Sequence, residues 1–249
     1  MTSRLFAEVI GPHSGEAPVL LLHSLGLDHT MWHPCAPFLA PDRRLLLADL
    51  PGHGRSPASA ELAALLDDAG PAMVHVVGVS LGGNEALALA AGHPGRVRSV
   101  TASGSFAFLD APERVTKLAA TVERASAQGM AAFADAYIRE TLAPEARTSA
   151  GPRLREVLAG TPLEAYTTAA RRCFGTDLRP LLPEVRCPVL LLVGEHDTRT
   201  PRSHAERIAT GLAHAEIQEI PGAGHLANVD APRHFSAALQ AFWSEADHW

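Results

Sequence analysis

Cysteine is scarce in this chain, and the few present are not paired in sequence. Its 249 residues hold three cysteines, Cys35, Cys173 and Cys187, with no CxxC among them. An odd, scattered set excludes a disulfide framework and a thiolate zinc cluster, and it suits a reducing, cytoplasmic setting. The 13 histidines show no HExxH spacing, so neither a metal nor another cofactor is expected. Positive charge is not in excess: 21 basic residues face 27 acidic ones, for a net charge of -6, and no basic run stands out. Nucleic acid is therefore excluded as a natural partner. Long hydrophobic runs are also missing. The apolar stretch "PVLLLV" that starts at Pro188 is far below the ~20 residues that span a bilayer. The opening "MTSRLFAEVIGPHSG" lacks a signal peptide's apolar stretch, because Glu8 interrupts it. The expectation is a soluble cytoplasmic protein with no membrane partner.

What is present is core material. Hydrophobic residues make up 47% of the chain and charged residues 19%, the balance of a globular domain. Short apolar runs bounded by turn residues occur at 5–10, 19–23, 44–50, 74–79, 97–102, 189–193 and 217–220. Several are apolar throughout, as strands of a parallel sheet covered on both faces must be. Helical patterns lie between them. Leu62, Leu65, Leu66 and Ala69 share one face and stop at Gly70-Pro71. A small-residue helix follows Ser80, and Phe235, Leu239 and Phe242 mark a last helix from about Asp230. This alternation predicts an α/β fold with a doubly wound, mostly parallel sheet.

One region breaks the alternation. Val115, Leu118, Val122 and Ala125 fit a helix closed by Gly129, and Met130, Phe133 and Tyr137 fit the next. Leu154, Val157 and Leu158 fit a third, and Leu163, Tyr166, Ala170 and Cys173 a fourth. The expected organisation is a core in two parts, 1–104 and 183–249, with a helical cap over 105–182. Helices inserted between two strands suit a lid over a site.

Gly78-Val79-Ser80-Leu81-Gly82 sits where a strand pattern becomes a helix pattern. A nucleophile on such a turn needs small neighbours two residues away, because its backbone is strained. The N–H that follows it then points at a developing oxyanion. A serine needs a base, and the base needs a carboxylate to orient it. Asp197 follows the apolar run 189–193, and His225 lies in the Gly-rich loop after the last strand. Ser80, His225 and Asp197 are thus the expected triad, with Asp110 as the alternative acid. Glu195 reads as structural, and His53 and His93 sit in Gly/Pro turns. The expected oxyanion donors are the N–H groups of Leu25 and Leu81.

Together "HSLGLDHTMW", "DLPGHGRSP", "GVSLGG", "VGEHDTRTP" and "PGAGHLANVDAP" resemble the α/β-hydrolase superfamily, in its order, across nearly the whole chain. Within it, "HSLGLDHTMW", "AQGMAAFADAYI", "TPLEAYTTAA" and "GAGHLANVDAP" are most similar to 3-oxoadipate enol-lactonases. The resemblance implies an α/β-hydrolase fold and an enol-lactonase-like serine hydrolase acting on a small ester or lactone. The chain departs from that family at Pro51, where the family tends to have arginine, and in "GSFAFLDAP" after the fifth strand. There Phe106 and Phe108 stand where a basic residue would suit a carboxylate substrate. Substrate-contact candidates are Ser24, Trp32, Phe106, Phe108 and Tyr137. With no basic group beside the two phenylalanines, a neutral ester or lactone is expected unless Arg139, Arg171 or Arg172 of the cap reaches in. The same triad serves perhydrolases or haloperoxidase-like enzymes, C–C bond hydrolases and biosynthetic cyclases. A non-catalytic ligand receptor would not need it intact. Monomer and homodimer both remain open.

Overall fold

The computed structural model describes residues 4–13, 16–70 and 73–249. Seven strands form one sheet: β1 (Ala7–Ile10), β2 (Val19–Leu22), β3 (Leu45–Ala48), β4 (Val74–Val79), β5 (Val97–Ser103), β6 (Val189–Gly194) and β7 (Ala215–Ile220). Their order is β1-β3-β2-β4-β5-β6-β7. Only β1 runs antiparallel to its neighbour, and every other pair is parallel. β2, β3, β4 and β6 are buried along their whole length, which is why their sequences carry no alternation. The edge strand β7, "AEIQEI", is mostly exposed. Its pairing with β6 from Ala215 onward starts it two residues before the run predicted from Ile217.

Six α-helices of the described residues lie outside the stretch between β5 and β6; the third, fourth and last of them pack on the sheet, and the first packs on the last. They are α1 (Ala36–Leu39), α2 (Ala64–Asp68), α3 (Leu81–Gly92), and, after β6, α10 (Arg202–Ala209), α11 (Ala227–Asp230) and α12 (Pro232–Ala246). α2 ends before Gly70; Pro71 of the predicted stop lies outside the described residues. The C-terminal end of α12 is tied to the sheet through a buried histidine. His75 on β4 meets Ser99 Oγ through Nδ1 at 2.8 Å and Asp247 Oδ1 through Nε2 at 3.1 Å. Arg43 closes the cluster, 2.5 Å from Asp247.

Between β5 and β6 the described elements are all helical. They are α4 (Ala111–Leu118), α5 (Arg124–Gln128), α6 (Met130–Thr141), α7 (Pro144–Ser149), α8 (Gly151–Gly160), α9 (Leu163–Gly175) and a 3-10 turn at Leu182–Glu184. α4 and α5 are joined by a π turn at Ala119–Glu123. The wider π turn shifts the helical face. Val122 and Ala125 therefore reach the core while Val115, predicted on the same face, is 66% exposed. α7, "PEARTS", has too few apolar residues to be read from pattern and went unpredicted. Among the described residues, no helix is long and apolar enough to cross a membrane.

Candidate active site

The turn from β4 into α3 is built around Ser80. It has φ 57° and ψ -116°, and it is the one described non-glycine residue at positive φ. Such a conformation costs of order 1–3 kcal/mol and persists only where the surroundings enforce it. Two neighbours do so by having no side chain. A Cβ on Gly78 would lie 2.0 Å from the Gly82 carbonyl oxygen, and one on Gly82 would lie 2.2 Å from that of Leu22. Both obstacles are backbone. The elbow therefore holds only with glycine on each side of Val79-Ser80-Leu81. The Ser80 N–H donates to the Ser103 carbonyl at 2.7 Å, which anchors the turn to β5.

His225 and Asp197 come from loops at the C-terminal ends of β7 and β6. His225 Nδ1 lies 2.9 Å from Asp197 Oδ2. Asp197 also accepts from the N–H groups of Arg199 at 2.8 Å and Thr200 at 3.0 Å, and from the Thr200 hydroxyl at 2.7 Å. Burial alone would raise its pKa. The charge and hydrogen bond of His225, with the bonds from Thr200, outweigh that and hold it well below the usual carboxylate range. With Nδ1 turned to a carboxylate, the imidazole's Nε2 is left for proton exchange. The loop bearing His225 is itself pinned. Asp230 Oδ2 accepts from the Gly224 N–H, and its Oδ1 accepts from the N–H of Ala143, just before α7, both at 2.8 Å.

The expected oxyanion loop is held from below by His23. Its Nδ1 donates to the Ser24 carbonyl at 2.8 Å, and its Nε2 accepts from the Leu50 N–H at 2.9 Å. Burial pushes its pKa down to about 3, so the ring stays neutral and can fill both roles. Among the described residues, no bond within the protein uses the N–H of Leu25 or of Leu81. The Leu81 N–H opens α3, where a helix has no internal acceptor.

Ser80, His225, Ser24, Leu25, Phe106 and Tyr137 line one cavity of about 210 Å³. A larger groove of about 480 Å³ lies between residues 50–53, Leu81 and α9, but it touches neither Ser80 nor His225. The smaller cavity is the candidate site.

Two predicted contacts fall outside the cavity. Trp32 is fully buried and packs on Phe235 with ring centroids 6.1 Å apart, as a core residue. Phe108 is drawn away by two guanidinium groups, Arg179 at 4.1 Å and Arg207 at 5.3 Å from its ring. Asp110 does not meet His225. It caps α4, accepting from the Glu113 N–H at 2.8 Å. Glu195 accepts from the Gly222 N–H, and the His53 ring packs edge-on to His23. The cap arginines considered from sequence do not line the cavity either. Arg139 and Arg171 are exposed, and Arg172 pairs with Glu85 at 2.8 Å.

The cavity nevertheless carries positive charge. Lys117 of α4 and Arg199, two residues after Asp197, both line it. Lys117 is the only lysine in the chain. Its ammonium donates to the Arg199 carbonyl at 2.6 Å. The Arg199 guanidinium lies 4.8 Å from the centroid of the Tyr137 ring. Neither cation has a carboxylate within 4.0 Å among the described residues. Burial first, then the charge of Arg199, lowers the Lys117 pKa. The absence of a basic residue beside Phe106, as read from the sequence, is thus made good from two distant positions. No sequence signal sets Lys117 and Arg199 apart from other basic residues, because only the fold brings the two together. Cys173 also lines the cavity, but burial pushes its thiol up to about 12, leaving it protonated.

A seven-stranded, mostly parallel sheet with a serine elbow after β4 and a His–Asp pair at the ends of β6 and β7 defines the α/β-hydrolase class. The family model described as alpha/beta hydrolase fold matches residues 17–232, and the chain belongs to that family. Its relatives include a 3-oxoadipate enol-lactonase 1 from Acinetobacter baylyi, 27% identical over 96% of this chain and 92% of its own. A pimeloyl-[acyl-carrier protein] methyl ester esterase from Chromobacterium violaceum is 30% identical over 94% and 96%. Among solved structures, the enol-lactonase from Burkholderia xenovorans superposes with a TM-score of 0.85 at 28% identity, covering 97% of each chain.

Proposed function

We propose that this protein hydrolyses a small carboxylic ester or lactone through an acyl-enzyme on Ser80. The observation that carries the reading is the strained serine elbow sharing one cavity with a histidine whose Nδ1 is held by a buried carboxylate. Ser80 Oγ attacks the carbonyl carbon while His225 Nε2 takes its proton. Asp197 holds the imidazole in that tautomer and stabilises its charged form. The N–H groups of Leu25 and Leu81 receive the oxyanion. His225 then protonates the leaving oxygen, and a water activated by the same imidazole releases the acid. For a lactone the leaving oxygen stays on the product, so a single hydroxy or keto acid results. Residues 105–182 act as a lid, contributing Phe106, Lys117 and Tyr137 to the cavity wall.

The cavity's charge supports a finer reading: the substrate carries an anionic group besides the bond that is cleaved. Two partly buried cations without a carboxylate partner raise the energy of the free site, and an anionic ligand relieves it. This replaces the neutral substrate expected from Phe106 and Phe108. The relatives named for an enol-lactone and for a methyl ester support the ester-or-lactone class. Turnover of an ester and lactone panel by wild type and Ser80→Ala tests the reading. The variant should lose roughly 10⁴- to 10⁶-fold in kcat while keeping its fold by circular dichroism. Comparable turnover by both proteins would remove Ser80 from the mechanism.

A further inference from the structure

On the far side of β3 from β2, a second cluster of ligating side chains shares no residue with the catalytic cavity. His29 and His33 lie four apart, at the start and just past the end of the 3-10 turn His29–Trp32. The two imidazole rings stand edge to face with their centroids 6.0 Å apart. Glu8 of β1 faces them. Its Oε2 is 2.8 Å from His33 Nε2 and 3.7 Å from His29 Nε2. One ligand atom from each of the three residues falls within 4.8 Å of the other two.

The inner imidazole is already oriented. His29 Nδ1 donates to Asp49 Oδ1 at 2.7 Å. Asp49 is itself fixed: it also accepts from the N–H groups of His29 and Arg55, each at 2.8 Å. When neutral, the His29 ring carries its proton on Nδ1, and its Nε2 lone pair is left on the side of Glu8. A carboxylate behind an imidazole in this way sets the tautomer and raises the basicity of the metal-facing nitrogen. The Phe6 ring, 5.0 Å from that of His29, walls off one side.

We infer that Glu8, His29 and His33 form a site for one divalent transition-metal ion of the zinc, nickel or copper class. Two imidazole nitrogens and one carboxylate oxygen suit those ions better than calcium or magnesium, which prefer all-oxygen sets. Tetrahedral ligands ~2.0–2.1 Å from a metal stand roughly 3.3 Å apart. The His29–Glu8 gap of 3.7 Å is a little wider than that and the His33–Glu8 contact of 2.8 Å a little narrower, so the Glu8 and His33 side chains each need to shift by about half an ångström. Water completes the shell on the open side, where the His33 side chain is 50% exposed. The ion would clamp the edge strand β1 to the turn after β2, with no part in ester cleavage.

The test is Zn²⁺ titration of the untagged, metal-stripped protein by calorimetry, together with His33→Ala and Glu8→Gln. The expected result is one ion per wild-type chain, affinity at least about tenfold weaker in each variant, and a Zn²⁺-dependent rise in Tm confined to wild type. His33 and Glu8 are surface side chains, so both variants should fold, and unchanged ester turnover verifies it. Equal binding by all three proteins would assign the metal to other histidines. Wild type that takes up no zinc would remove the site altogether.

Discussion

The charge of the cavity can be tested by removing it one residue at a time. Lys117→Met keeps the length of the side chain and deletes its charge. Two unit charges ~5 Å apart interact by about 3 kcal/mol at an effective dielectric of ~20. Both cations keep some contact with solvent, so about 1.5–2 kcal/mol is the reasonable share, close to that of a charge-assisted hydrogen bond. This corresponds to roughly 10- to 30-fold in kcat/KM. The assay is a matched pair of substrates of equal size, one a free acid and the other its methyl-capped form. Wild type should favour the free acid by about tenfold or more. Lys117→Met should lose about 10- to 30-fold on the acid and stay within about threefold on the capped form, and Arg199→Met should behave alike. The capped substrate is the necessary control. Lys117 also donates to the Arg199 carbonyl, and the Arg199 N–H holds Asp197, so a displaced loop would harm both substrates equally. Equal loss on the two, or a wild-type preference for the capped form, would refute the reasoning.

Two further outcomes follow from the same geometry. Asp197→Asn should reduce kcat by about 10⁴-fold, because an amide can favour the wrong imidazole tautomer, whereas Asp110→Asn should stay within a few-fold, since asparagine also caps helices; steady-state kinetics decides, and the reverse ranking would overturn the assignment. Stability should fall on mild acidification. His75 is buried with its pKa lowered to about 4, below the ~6.5 of an unfolded histidine. The unfolded chain therefore binds more protons between those values, and stability is lost as pH falls from about 6.5 towards 4, by about 2 kcal/mol at pH 5. His23 shifts in the same direction. The urea midpoint should be lower at pH 5 than at pH 7.5, and a flat or rising midpoint would contradict this account.

All seven strands were legible in the sequence, β2, β3, β4 and β6 most plainly, because buried parallel strands are short apolar runs between turn residues. Their ends were less so. Ala215 and Glu216 join β7 through backbone pairing with β6 rather than through any apolar pattern. The elbow was legible because its glycines answer a local constraint: Gly78 and Gly82 face backbone atoms that no side chain could clear. The pairing of His225 with Asp197 followed from chain order and loop position. The π turn was not legible, because a register change within a helix leaves the composition untouched, and Val115 was misplaced as a result. The cavity wall was legible in part: Ser24, Phe106 and Tyr137 line it as expected. Trp32 and Phe108 have the chemistry of ligand contacts, yet Phe235 holds one and Arg179 and Arg207 hold the other. Lys117 and Arg199 lie 82 positions apart, and only the packing of α4 over the loop after β6 brings them together.

The central claim is that Ser80 is an activated nucleophile. A fluorophosphonate probe reacts with serines that have a working base and oxyanion site, so its point of attachment tests this directly. Intact-mass analysis should show one adduct per wild-type chain, and peptide mapping should place it on Ser80. The adduct should be missing from Ser80→Ala and form far more slowly on Asp197→Asn. An unlabelled wild-type chain, or equal labelling of Ser80→Ala, would contradict the account.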